Sequence, residues 1–141
     1  MQTPNITYNF NKPETIQICV VGLGYVGLPL ARLFSKKYRT IGFDINQDRV
    51  SSLQSALDAT GEMSVEILQE SLGGNLSFTT NVEEIKDCNI YIVTVPTPVD
   101  EYNRPNLYPL LSASEIVGRL LANGDIVIYE STVYPGVTEE E

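Results

Sequence analysis

The 141-residue sequence predicts an α/β fold, a mostly parallel sheet with helices on both faces, and three observations carry that prediction. An apolar run, Ile18-Cys19-Val20-Val21, ends in glycines at 22, 24 and 27 and then turns amphipathic, which reads as strand, tight turn, helix. A second apolar run, Thr40 to Phe43, ends in Asp44, about 20 residues past the glycines. Further short runs at 89–95 and 126–129 alternate with helical stretches, the pattern of successive strand–helix–strand units. The fold class that follows is a doubly wound sheet of the Rossmann type.

The glycine turn carries chemistry as well as shape. Gly22 permits the tight turn, Gly24 lets the backbone approach a pyrophosphate, and Gly27 lets the helix pack closely on the strand. The amides of Tyr25 and Val26 then belong to a helix N-terminus, whose unpaired donors and partial positive charge suit an anion. The glycine spacing alone also arises by chance in glycine-rich turns; Asp44 strengthens it. At the end of the second strand Asp44 would accept hydrogen bonds from an adenosine ribose and repel the extra phosphate of NADP, so NAD is the expected cofactor. The alternative for Asp44 is a helix cap ahead of residues 45–57.

Composition narrows the classes. A hydrophobic content of 43% with 19% charged residues is ordinary for a globular domain, and 141 residues suit one core. The net charge of −9 argues against a nucleic-acid surface or an anionic membrane surface, each of which favours a basic face, so anion binding must be local and through backbone amides. The polar start at residues 1–13 does not resemble a secretory signal, and the glycine-rich apolar stretch is too short to span a bilayer. Cys19 lies mid-strand and Cys88 just before a strand, with no CxxC and no histidine in the chain, so both are expected as core thiols of a cytoplasmic protein with no metal.

In chain order, residues 1–14 carry Pro4, Pro13 and three asparagines and are expected to form a loosely ordered arm ahead of a domain over 15–141. Strand one is expected over 16–21 and helix one over 25–37, with Pro29 near its start and a basic end at Arg32, Lys36, Lys37 and Arg39. Asn46 caps a second helix marked by Val50, Leu53 and Leu57. Arg49 on that helix lies over an adenine, reaches a phosphate oxygen, or is a solvated surface arginine. A helix over 64–72 ends at Gly73-Gly74, a strand follows over 76–80, and Asn81 with Glu84 reads as another helix start. The strand over 89–95 stops at Pro96-Thr97-Pro98, a turn on the ligand-facing edge where the Thr97 hydroxyl either bonds to cofactor or substrate or is turn chemistry alone. After a polar loop at 99–106, a helical stripe runs from Leu107 to Leu121, and the strand at 126–129 delivers Glu130-Ser131-Thr132-Val133-Tyr134-Pro135-Gly136 to the same edge. Thr138 with Glu139 to Glu141 reads as a helix just starting, and the expectation is a domain cut from a longer chain.

Taken together, Val-Gly-Leu-Gly-Tyr-Val-Gly-Leu-Pro-Leu-Ala, Gly-Phe-Asp-Ile-Asn, Val-Thr-Val-Pro-Thr-Pro-Val-Asp and Tyr-Glu-Ser-Thr-Val-Tyr-Pro-Gly resemble the N-terminal domain of the UDP-glucose/GDP-mannose dehydrogenase family from about Ile16 onward. The wording is most similar to the branch that oxidises UDP-N-acetylhexosamines for capsule, O-antigen or Vi-type polysaccharides. The resemblance implies oxidation of a sugar C6 alcohol to a carboxylate in two NAD-dependent steps, through a thiohemiacetal and thioester on a cysteine. It implies that Gly22, Gly24, Tyr25, Val26 and Gly27 form the phosphate loop and that Asp44 is the ribose acid. It likewise makes Arg49 a basic cofactor contact, Thr97 a cofactor-side threonine, and Thr132 a threonine near the nicotinamide that helps position a catalytic water. Glu130 receives no role.

The family's nucleophilic cysteine, its lysine and asparagine, and most of its sugar site match nothing in these 141 residues, so the chain is expected to be inactive alone. The parent is expected to be a homodimer or larger that takes a UDP-sugar. Two alternatives remain at this point: a UDP-glucose 6-dehydrogenase, and a free-standing NAD-sensing module of similar length, which would leave the Pro-Thr-Pro and Ser-Thr-Val-Tyr-Pro-Gly turns unexplained.

Overall fold

The computed structural model describes residues 11–133. Five strands, β1 (Gln17–Val21), β2 (Arg39–Phe43), β3 (Leu76–Thr79), β4 (Ile90–Val93) and β5 (Ile126–Tyr129), form one sheet in the order β3-β2-β1-β4-β5. Every pairing is parallel. Alternation along β1 sends Ile18 and Val20 to one face and Cys19 and Val21 to the other, and each face is covered. On the first lie α1 (Gly27–Ser35), α2 (Gln47–Gln54) and α3 (Val65–Leu72), which bury Leu28, Ala31, Val50, Leu53 and Leu68. On the second lies α4 (Tyr108–Leu120), with Leu110, Ala113 and Val117 packed beside Ile85 and Tyr91. The doubly wound reading of the sequence is what the chain adopts.

Most predicted elements occur with ends trimmed by a residue or two, and four differ, the first being the second helix, which stops at Gln54 and leaves Leu57 55% exposed beyond the turn at Ala56, where φ is +57°. Helix one begins at Gly27 and not at Tyr25: the Leu28 amide does bond the Gly24 carbonyl at 3.2 Å, but Pro29 has no amide to offer the Tyr25 carbonyl, so the ladder is continuous only from Val26, whose carbonyl accepts from Leu30 at 3.2 Å. The helix start at Asn81 yields only a single 3₁₀ segment, Val82–Ile85, capped by the Asn81 side chain. At the N-terminal side Pro13–Thr15 form a 3₁₀ turn, and Asn89 ties it to β4, donating from Nδ2 to the Thr15 carbonyl at 2.8 Å and accepting from the Gln17 amide at 3.0 Å. Among the described residues, secondary structure thus starts at Pro13, inside the stretch expected as the arm. The remainder of the arm, and the helix expected after Thr138, lie outside the described residues.

The β1–α1 connection is the tightest place in the sheet. Gly22 has φ +97°, a conformation that side chains other than hydrogen rarely adopt. A Cβ added to Gly27 would fall onto the Gly22 carbonyl oxygen and the Thr94 hydroxyl, and within 2.9 Å of the Gly22 carbonyl carbon. Gly24 is the opposite case, since an added Cβ meets nothing within 4 Å. Gly27→Ala should therefore destabilise the domain by about 3 kcal/mol or more, whereas Gly24→Ala should change stability by no more than about 0.5 kcal/mol. Urea unfolding midpoints of the two variants check the contrast; similar midpoints would contradict it.

Candidate functional site

Neighbours β2 and β4 leave β1 in opposite directions, so the carboxyl end of β1 is the point where the winding of the sheet reverses. A cavity of about 480 Å³ opens there, a size typical of small-molecule sites. Gly22, Leu23 and Gly24 from the glycine turn, Asp44 and Arg49 from the β2–α2 region, and Val95 and Pro96 after β4 all line it. Backbone bonds prolong the ladders to its rim: the Gly22 amide donates to the Phe43 carbonyl at 2.8 Å and the Thr94 amide to the Val21 carbonyl at 2.8 Å.

Leu23 is the residue on which the cavity wall converges. Its side chain is buried in the core, its amide donates to Asp44 Oδ2 at 2.9 Å, and its carbonyl accepts from Arg49 Nε at 2.9 Å. Asp44 Oδ1 also accepts from the Asn46 amide at 2.9 Å. The cap of α2 is Asn46, whose side chain accepts from the Arg49 amide, so the alternative of Asp44 as helix cap falls away. Nor is Arg49 a solvated surface residue. Its side chain is only 11% exposed, Nη1 forms a 2.7 Å ion pair with Asp58 Oδ1, and Nη2 is buried with no partner among the described residues.

Next to the open space beside Gly24, the amides of Gly24, Tyr25 and Val26 donate to no acceptor among the described residues. Unbonded donors at the start of α1 and a space that a side chain would fill are the features a pyrophosphate requires, and in that respect the residues present fit a dinucleotide. The side chains of Tyr25 and Val26 are exposed and line a separate groove of about 460 Å³ with Leu30, Phe34, Ile128 and Glu130. Any part these two residues play at the cavity is a backbone one.

Thr97 and Thr132, distant in sequence, come together: the Thr97 hydroxyl donates to the Thr132 carbonyl. Ser131 Oγ reinforces the contact by donating to the Val95 carbonyl at 2.8 Å. The loops after β4 and β5 are thereby clasped beside the cavity, but neither threonine lines it. With its proton engaged, the Thr97 hydroxyl retains only acceptor capacity.

Two positions that brace the cavity wall escaped sequence reasoning. Thr94 is buried, and its hydroxyl lies 2.7 Å from the Gly22 carbonyl, fastening the glycine turn; a Thr among β-branched strand residues gives no signal of this. Asp58, in a loop of ordinary polarity, anchors Arg49. Its side chain is fully buried and also accepts from the Thr60 amide and hydroxyl and from the amides of Glu62 and Met63.

The cysteines occupy the second core cluster and are buried. Burial pushes the Cys19 thiol well above its ordinary value, the reverse of what a nucleophile requires. Among the described residues no group of three or more His, Cys, Asp or Glu side chains is placed to hold a metal, and no helix is long and apolar enough to cross a membrane.

The NAD binding domain model of the UDP-glucose/GDP-mannose dehydrogenase family matches residues 16–141. The chain belongs to that family. It is the family's NAD-binding domain, and NAD is its cofactor. It is 55% identical over 128 residues to the UDP-N-acetyl-D-glucosamine 6-dehydrogenase of Pseudomonas aeruginosa and 52% identical over 128 residues to that of Salmonella typhi, matching 91% of this chain and 30% of each relative. Among solved structures it superposes on a UDP-D-ManNAc dehydrogenase from Pyrococcus horikoshii with a TM-score of 0.82 and 36% identity, over 88% of this chain and 30% of that one. The chain thus spans about 30% of the length of the curated relatives it matches.

Burial pushes the Asp58 carboxyl up, but the hydrogen bonds from Thr60, Arg49 and the Met63 amide outweigh it and bring the value down from 3.8 to about 2. A folded value below the ordinary one means that Asp58 stabilises the domain fully above about pH 4 and that this contribution disappears as the pH falls through about 2. The thermal midpoint should therefore drop between those limits. Asp58→Asn should lower stability at neutral pH by about 2 kcal/mol and flatten that acid limb, and an unchanged limb in the variant would contradict the assignment.

Proposed function

We propose that this domain is the NAD-carrying part of a nucleotide-sugar 6-dehydrogenase that oxidises UDP-N-acetylglucosamine or UDP-N-acetylgalactosamine for surface polysaccharide synthesis. The observation that carries the cofactor half of this reading is the pairing at Leu23 of Asp44 with the glycine turn, next to free amides and open space. The choice of sugar is supported by the higher identity to the two UDP-N-acetyl-D-glucosamine 6-dehydrogenases, 55% and 52%, than to the UDP-D-ManNAc enzyme, 36%.

In this reading Gly22, Gly24 and Gly27 shape the pyrophosphate cradle, and the Tyr25 and Val26 amides donate into it. Asp44 keeps lone pairs free for the ribose hydroxyls besides those engaged by Leu23 and Asn46. Arg49 forms the wall at the adenosine end. Thr97 and Thr132, clasped to each other, border the nicotinamide end, where Thr132 helps position water. NAD supplies the hydride acceptor. The thiol for covalent catalysis is not Cys19 or Cys88, both of which are sealed in the core, so another part of the complete protein must provide it.

Calorimetry with the two cofactors tests the ribose assignment. NAD should bind more tightly than NADP, and Asp44→Ala should weaken NAD by about 1 to 3 kcal/mol, the cost of unpaired hydrogen-bonding groups. Equal affinities before and after the substitution would overturn it.

The 141-residue chain by itself should form no NADH from UDP-N-acetylglucosamine, UDP-N-acetylgalactosamine or UDP-glucose. Turnover abolished by Cys19→Ser or Cys88→Ser would show that the active centre lies elsewhere than proposed.

A further inference from the structure

Asp58 does not line the cavity, yet it makes more hydrogen bonds than any carboxylate that does. Four of its five hydrogen bonds, from Thr60, Glu62 and Met63, are local and would suffice to close the loop over 58–63. The fifth reaches back nine residues to Arg49 Nη1. With Nε engaged on the Leu23 carbonyl, that bond leaves the guanidinium held at two points and Nη2 buried without a partner among the described residues. An arginine free to choose would turn Nη2 to water, because a buried unsatisfied donor is costly. The two anchors outweigh that cost and hold the group in the cavity wall.

We propose that Asp58 is a positioning residue for the cofactor: it fixes Arg49, and through Arg49 the Leu23 carbonyl, so that the adenosine half of NAD meets a wall already in place. This rests on the reading of the cavity as the NAD site. Preorganisation removes from the binding step the entropy of ordering a long side chain. The chain of contacts runs from the Asp58 carboxylate to the Arg49 guanidinium, to the Leu23 carbonyl, and from the Leu23 amide to Asp44. Arginine and ribose acid therefore grip opposite sides of one residue of the phosphate turn.

Affinities for NAD and for ADP-ribose, measured by calorimetry on the chain and on Asp58→Asn, Arg49→Ala and the double variant, test the proposal. Asp58→Asn should raise both dissociation constants about tenfold and should add nothing once Arg49 is alanine. A constant within about twofold of the unaltered chain, or the same penalty in the Arg49→Ala background, would overturn it, since a purely structural effect of the loop does not need the arginine. If Asp58→Asn does not fold, Arg49→Ala decides: a tenfold or larger loss supports the proposal, and unaltered affinity refutes it. Failure of the unaltered chain to bind NAD would refute the cavity assignment itself, whereas normal NAD binding with an indifferent Asp58→Asn refutes only the positioning role.

Discussion

The contact between Gly27 and the Gly22 carbonyl fixes the geometry of the whole site. Because neither residue has a side chain, the first turn of α1 can come down onto the end of β1, and the Thr94 hydroxyl, one residue past β4, closes on the same carbonyl at 2.7 Å. Three elements thus meet at one oxygen. The positive φ of Gly22 then directs the chain toward the cavity, Leu23 drops its side chain into the core, and Gly24 begins the helical ladder. Free amides at Gly24, Tyr25 and Val26 result from this geometry and need no residue of their own. A methyl group at position 27 would push the helix off the strand and take the amides with it.

These causes also set what could be read from the sequence. The glycine turn and Asp44 were legible because their roles are local: steric permission at three positions and an acid at the end of the next strand. The strands were legible because a sheet covered on both faces demands nearly continuous apolar runs, as in Ile90–Val93. Tyr25 and Val26 read as the first helical residues but lie just ahead of the continuous ladder, because Pro29 leaves the Tyr25 carbonyl without a donor. Thr94 and Asp58 were invisible because their partners are set by the tertiary fold. Thr94 meets a glycine 72 positions away, and Asp58 looks like any acid in a polar loop until Arg49 is brought to it. Arg49 itself remained open between adenine, phosphate and solvent until its burial and ion pair excluded the last.

The clasp between Thr97 and Thr132 shows a similar limit from the other direction. The sequence marked both turns as facing the ligand edge, and the structure places them together, joined to each other and reinforced by Ser131 on the Val95 carbonyl. Pro96 and Pro98 remove two amides that would otherwise need partners, so the turn depends on its side chains and carbonyls to hold the β5 loop. The two loops are therefore joined at the carboxyl edge through the side chains of Thr97 and Ser131, each bonded to a backbone carbonyl of the other loop.

Charge explains how a chain of net −9 accommodates an anionic dinucleotide, and which one. Net charge offers no long-range attraction, so in the proposed reading the amide donors of the helix start hold the phosphate, their partial charge acting within one turn. The guanidinium of Arg49 does not add a free positive charge, because Asp58 offsets it at 2.7 Å. An arginine in this part of a dinucleotide fold is what accommodates the 2′-phosphate of NADP when it is free to turn toward it. Here it is tied at Nε and Nη1, and Asp44 presents a carboxylate beside it. A neutralised guanidinium is a suitable wall for an uncharged adenine and a poor host for an additional phosphate. On the proposed reading of the cavity, the pair Arg49–Asp58 and the acid Asp44 would favour NAD by different means, the first by withholding a positive charge and the second by placing a negative one near the ribose.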